Sequence, residues 1–328
     1  MRGTSATYVD MAQSTHRHGD TVLEAIRSSS SAATSAIAAS WCRSAINHGL
    51  DPEGAAGPDR VDDPALSAAR REHDMMLAVA APVLDHMFRS VGRSGCAVIL
   101  SDARGLILER RSADGDSAGF AAAGLVEGAV WGEAEQGTNG IGTCLFEDKP
   151  IVIHRNQHFA SRNVDISCMD APVHDPQGRL VGALDVSSCR DGHGPAMAEM
   201  VAALVRDAAR KIERDYFCRH FADRRIIFLS DDAATGSALL AVDRDDLVVG
   251  ASRAARLRLG LSDAALAIPQ ALGRLLGEDA GPSFGDADRA VLRQALAQSG
   301  GNASQAARLL GIGRATLYRR MARAGLNG

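Results

Sequence analysis

An α+β fold in three units is predicted: an antiparallel sheet with flanking helices, a small mixed module, and an all-α C-terminal segment. Three observations point that way. Short apolar runs separated by turn signals occupy the middle of the chain. Longer stretches with apolar residues at helical spacing bracket them. The last forty or so residues alternate short helical patterns with glycine breaks.

Taken in order, residues 1–65 read as an N-terminal arm followed by a helical segment. The first thirty are polar and without period, which suits a mobile arm. Ala32–His48 is helical and stops at Gly49-Leu50-Asp51-Pro52, a glycine then a proline. Residues 66–222 form the sheet unit. Leu66–Val91 reads as one long helix, with Met75, Met76, Val79, Val83, Leu84, Met87 and Phe88 on its stripe. Cys96–Leu100 and Leu106–Leu108 are strands around Asp102-Ala103-Arg104-Gly105. Ile151–His154 is another, and Met169–Val173 pairs with Leu180–Val186 across His174-Asp175-Pro176-Gln177-Gly178. A long helix runs from Pro195 to about Phe221. Residues 223–278 hold short strands at Ile226–Leu229, Ala238–Val242 and Leu247–Val249, then a helix around Ser252–Gly260. Residues 276–285 read as a linker, and 279–328 as the helical segment.

Bulk composition narrows the function classes. The chain has 328 residues, 46% hydrophobic and 23% charged, which is globular and large enough for two or three cores. Its six cysteines are scattered without a C-x-x-C pair, as expected of reduced cytoplasmic thiols. No secretory leader and no membrane span are expected, and a cytoplasmic location follows. Residues 300–328 carry five arginines and no acid, so the rest of the chain holds −9 against a total of −4. A basic tail on an acidic body is the electrostatic footprint of nucleic-acid binding.

The tail also carries the matching steric pattern. Asp286–Ser299 is amphipathic, Gly300-Gly301 breaks it, and Asn302 is a good cap for a second helix, Ala303–Leu310. Gly311 makes a tight turn, and a third helix follows from about Arg314 to Ala324. Ala307 is small where the helices cross, while Ile312 and Leu317 plug the core. Together these make a helix-turn-helix. Asn302, Ser304, Arg314, Ala315, Thr316, Tyr318, Arg319, Arg320 and Arg323 are the expected DNA contacts: arginine forks for guanine edges or phosphates, threonine for a thymine methyl. Residues 286–326, with Gly301-Asn302, Ala306–Ile312 and Thr316–Arg319, resemble the Fis-type helix-turn-helix. Gly313 departs from it, standing where that family usually places a capping side chain.

In the central unit, Gly137-Thr138-Asn139-Gly140-Ile141-Gly142-Thr143 invites a phosphate-loop reading, but no G-K-[ST] occurs anywhere and no βαβ context surrounds it. Glycines so dense let the backbone approach a ligand or a neighbouring strand. With Ser40-Trp41-Cys42-Arg43-Ser44, Gly49–Pro52, His158-Phe159, Cys168, Ala171-Pro172 and Asp175-Pro176, this run resembles the GAF sensor domain of the activators of acetoin catabolism. The likeness covers roughly residues 35–215, and the module after it is similar to that family's PAS-like segment. Those sigma-54 activators carry an AAA+ ATPase between sensor and DNA-binding motif. Here Leu275 is followed within a dozen residues by the helix-turn-helix, and the Walker lysine is missing.

The resemblance implies a small-molecule effector bound over the sheet by Trp131, Thr138, Asn139, Thr143, Cys144, Phe159 and Cys168. It also implies a homodimer on an inverted-repeat operator in double-stranded DNA, working with RNA polymerase or a full-length relative and without ATP hydrolysis. No cofactor, catalytic residue or resident metal is expected. Three alternatives stay open. One is a thiol- or metal-based sensor using Cys144, His154, His158, Cys168 or His174, and another a GAF-type methionine sulfoxide reductase. The third is an architectural DNA-bending protein, which the acidic body disfavours.

Overall fold

The computed structural model describes residues 18–28, 33, 35–54, 56–190, 194–232, 235–268, 270–277 and 284–326. Helix α1 spans 18–27, and α2, Ala36–Cys42, runs on as a wider turn through Arg43–Asn47. Helices α3 (Asp63–Glu72) and α4 (Asp74–Val91) lead into strands β1 (Cys96–Ser101) and β2 (Ile107–Arg111). Three helices follow: α5 (Asp114–Ala122), α6 (Glu133–Gln136) and α7 (Gly140–Glu147). Strands β3 (Ile151–His154), β4 (Ser167–His174) and β5 (Leu180–Ser188) complete a five-stranded antiparallel sheet in the order β2-β1-β5-β4-β3.

Strand periodicity gives this sheet two different faces. Val98, Leu100, Met169, Ala171, Leu184 and Val186 point toward α4 and α8, the long helix Pro195–His220, and form an aliphatic core. Ala97, Ile99, Cys168 and Ala183 point the other way, beneath α7 and the loops that carry Phe120, Leu125 and Trp131.

At about 39 Å by its rise per residue, α8 is long enough to serve a second sheet. Phe217 packs on Leu239 and Ala241 of β7, so the helix that closes one core also starts the next. That second sheet comprises β6 (Arg225–Asp232), β7 (Gly236–Val242), β8 (Leu247–Ala251) and β9 (Gln270–Ala271) in sequence order. Helix α9 (Arg253–Leu259) covers its other face with Ala254 and Ala255, while α10 (Asp263–Leu266) and α11 (Leu272–Leu275) close the end. Helices α12 (Phe284–Gln298), α13 (Ala303–Leu309) and α14 (Arg314–Arg323) make the third unit. Its core joins Leu292 and Ala295 to Ala306, Ala307, Leu317 and Met321.

Two expectations need correction. The polar start is not a free arm over 18–27: α1 buries Val22 and lays His18 Nε2 2.9 Å from the carbonyl of His158. The stretch Leu66–Val91 is two helices, broken at His73 (φ −104°, ψ 21°). Arg70 on α3 reaches the Leu108 carbonyl at 2.7 Å, whereas α4 lies against β1 and α8, and one straight helix does not serve both docking directions. The glycine run leads into helix α7, which starts at Gly140 and lies close against Cys168 and Asp170 of β4. Most of the linker expected at 276–285 lies outside the described residues.

Candidate functional site

Three helices hold the C-terminal site together. Asn302 Oδ1 accepts from the backbone N–H of Ser304 (3.0 Å) and Gln305 (3.2 Å), satisfying two of the unpaired donors at the start of α13. Gly311 turns the chain at φ +63°, a conformation costly for residues with a Cβ. Gly313 then caps α14 with no side-chain bond, consistent with its departure from the usual serine. Leu317, Met321 and Ala324 bury one face of α14, and Arg289 on α12 donates to the Ala324 carbonyl at 2.7 Å.

The opposite face of α14 turns Ala315, Arg319 and Arg323 outward, with Thr316 and Tyr318 on its flanks. Arg319 Nη2 donates to Thr316 Oγ1 at 3.3 Å, and the Arg314 guanidinium lies 5.7 Å from the Tyr318 ring centre. Arg320 differs from the other exposed arginines, because Asp288 of α12 holds it at 3.1 Å. Of the nine expected contacts, six sit on α14 as a single surface, Asn302 and Ser304 open α13, and Arg320 is turned to α12.

The seven residues expected around an effector converge, but as packed interior. Asn139 caps α7 by accepting from Gly142 N at 2.8 Å, and Thr143 Oγ1 accepts from Asn139 N. Thr138 belongs to a buried polar cluster in which Ser40 donates to Glu133 at 2.7 Å and Arg43 Nε pairs with Glu133 at 2.8 Å. Thus the two motifs Ser40–Ser44 and Gly137–Thr143, far apart in the chain, grip each other. Trp131 donates to the Gly124 carbonyl at 3.0 Å, Cys144 is wholly enclosed, and Phe159 covers Gly137. At Gly140 the reason for glycine is spatial: a Cβ there would lie 2.2 Å from Asp170 Oδ2 and 2.4 Å from Cys168 Cβ.

Beneath Gly140 lies what the sequence reading missed. Asp170 and Asp185 face each other across the β4–β5 ladder in the middle of the sheet, both fully enclosed. Neither oxygen of Asp170 has a hydrogen-bond partner among the described residues. Burial first, and the neighbouring Asp185 second, push the Asp170 carboxyl well above the usual range. Burial also lifts Asp185 to about 7, against the opposing bond from Ser187. Ser187 Oγ lies 2.8 Å from Asp185 Oδ2 and 3.2 Å from Cys168 Sγ, and Cys168 Sγ lies 3.5 Å from His158 Nε2. A polar chain therefore runs from the sheet centre to His158. Its sequence signal is an aspartate at the inward position of two apolar strands, Met169-Asp170-Ala171 and Leu184-Asp185-Val186.

Among the described residues no three of His, Cys, Asp and Glu converge as metal ligands. His154 bonds Ser167 at 2.9 Å, and His174 sits between Glu213 (2.6 Å) and Asp148 (2.7 Å). Burial raises the Cys144 and Cys168 thiols well above their usual range and lowers His158 to about 4, so Cys168–His158 is not a thiolate–imidazolium pair. No helix among the described residues is long and apolar enough to cross a membrane.

Residues 12–214 match the model of the MimR N-terminal domain, and residues 283–323 that of the bacterial regulatory protein, Fis family. The acetoin catabolism regulatory protein of Cupriavidus necator is 29% identical over 67% of this chain and 34% of its own length. The propane 2-monooxygenase operon transcriptional activator MimR of Mycolicibacterium smegmatis is 31% identical over 60% of this chain and 34% of its own. This chain thus spans about a third of the length of such relatives. A chain of the E. coli DhaR(N)–DhaL crystal structure shares the fold at a TM-score of 0.50 and 19% identity, covering 73% of this chain and 80% of that one. With its match running through both the N-terminal helices and the five-stranded sheet, the chain belongs to the MimR N-terminal domain family.

Proposed function

We propose that this protein is a DNA-binding transcription regulator whose five-stranded unit is a GAF-type sensor, followed by a PAS-like module. It acts on an inverted-repeat operator as a homodimer and without ATP hydrolysis. The observation that carries the proposal is α14: arginines on an outward face, held by a buried seam of Leu317 and Met321 against two other helices. A groove-reading helix needs that combination of charge outside and rigidity inside.

The sensor reading rests on the polar interior. A buried carboxyl without a hydrogen-bond partner, that of Asp170, under a helix that begins in glycines, is what a sheet face needs when it must meet a polar effector after that helix moves. Pairing of two copies is supported by α8, where Met200, Leu204, Asp207, Lys211, Arg214 and Cys218 form one exposed stripe at four-three spacing. An apolar groove of about 210 Å³ lined by Val83, Met87 and Leu204 runs beside it. Buried, protonated thiols disfavour redox sensing and sulfoxide reduction, both of which need an accessible thiolate.

The test is DNA binding by the intact chain. Arg319→Ala and Arg323→Ala should each weaken promoter binding by about 1–3 kcal/mol and flatten its salt dependence. Footprinting should show a two-fold element with half-sites about 34 Å apart. Unchanged affinity and salt response in both variants would refute the reading.

A further inference from the structure

The cleft between the two sheet units is built from both. Its walls come from the end of α7, the β4 end and the middle of α8 on one side, and from the start of β7 and α9 on the other. The cleft has a volume of about 190 Å³, ample for a small anion.

Four cations line it, Lys149, Arg206, Arg210 and Arg253, against two carboxylates. Those carboxylates are already engaged. Glu213 bonds His174, and Asp148 bonds both His174 (2.7 Å) and Arg253 (3.2 Å). Arg210 also pairs with Asp207, at 3.4 Å. Lys149 and Arg206 enter no ion pair among the described residues, in a chain whose acids outnumber its bases. Asp148 holds its place by a left-handed backbone (φ 49°), a conformation uncommon for a residue with a side chain. Clustered cations in a recess repel one another until an anion sits among them, and guanidinium forks match the paired oxygens of carboxylate and phosphate.

We propose that this cleft binds a compact dianion, a phosphate monoester or a short dicarboxylate, across the seam between the two units. Such a ligand would tie Arg253 of the second sheet unit to Lys149 and Arg206 of the first. It would thereby stiffen the junction on the path toward the DNA-binding helices. The site is separate from the sheet interior discussed above, and it stands whether or not the chain binds DNA.

The experiment is thermal denaturation of the full chain at constant ionic strength, titrated with inorganic phosphate and, separately, with succinate. A saturable rise in Tm with either probe, absent with sodium chloride, is expected. A response to phosphate alone assigns the phosphate source, and one to succinate alone assigns the dicarboxylate. The double variant Lys149→Ala/Arg206→Gln should weaken the response at least tenfold, with circular dichroism and promoter affinity equal to the parent. The milder Lys149→Gln should weaken it less. The proposal fails if neither probe gives a saturable shift, or if the double variant binds as the parent does. It fails too if Arg319→Ala weakens the anion instead, since the ion would then sit on the DNA face.

Discussion

Inside the five-stranded unit, Glu133, His158, Asp170 and Asp185 lie buried among aliphatic side chains, whereas α14 turns its arginines outward from Leu317 and Met321. The two arrangements respond to different variables. Exposed arginines would meet a nucleic acid's phosphates through a screened field, which salt would tune. Enclosed carboxyls are shielded from salt, and protonation sets their energy. One chain thus contains a region governed by ionic strength and another governed by pH, joined by a long helix and a small sheet.

The sharpest way to break that contrast is to remove the apolar support of the arginines. Leu317→Ala leaves every charge in place but should cost about 2–5 kcal/mol, since the residue is fully buried in a small core. Promoter binding should be lost while the two sheet units melt as before, which calorimetry with separate transitions would show. Retained binding would mean that charge alone, without a rigid helix, explains the affinity.

Next in size is the buried pair. Asp185 titrates near 7 when folded and near the ordinary aspartate value of about 3.9 when unfolded, and Asp170 is raised as well. Below about pH 4 the folded and unfolded chains are both protonated, and this contribution to stability is fully present. Between about pH 4 and 7 the unfolded chain ionises this group while the folded chain keeps it protonated, so the contribution is lost progressively and is gone once the pH passes the folded value of about 7. Asp170→Asn keeps the shape and removes one titration. Its urea-unfolding stability should change less between pH 6 and pH 8.5 than the parent's, exceeding it at the upper end by on the order of 1 kcal/mol. Equal slopes in the two proteins would show that burial does not raise the Asp170 carboxyl.

The smallest effect concerns a cap. Asn302→Ala removes two bonds to the start of α13 and should cost about 1 kcal/mol in the helical unit alone. A matching loss of DNA affinity at physiological temperature would indicate that this unit sits near its stability threshold. A larger loss with unchanged stability would instead place Asn302 on the DNA.

Much of the fold was legible because its signals are local. Strand pairs around Asp102–Gly105 and Asp175–Gly178, the long helix after Gly194, and the helix-turn-helix all depend on turn chemistry and short-range period. The errors fall where long-range packing overrides local pattern. Residues 18–27 look too polar to dock, yet α1 buries only His18, Gly19 and Val22 and needs no broad stripe. The break at His73 follows from two neighbours that pull in different directions. The seven expected effector residues do cluster, all of them buried as caps, hydrogen-bond partners or close packing, a convergence that only the fold could produce.

From the sequence by itself came the basic helix of the helix-turn-helix, the missing Walker lysine and the antiparallel character of the central unit. Each is a property of neighbouring residues or of composition, and needs no knowledge of what lies across the fold. Only the tertiary structure brought Ser40 to Glu133, set Asp170 opposite Asp185, and gathered Lys149, Arg206 and Arg253 into one cleft. Strand register and helix docking decide those meetings, and the energy of a buried or crowded charge depends on its neighbours in space.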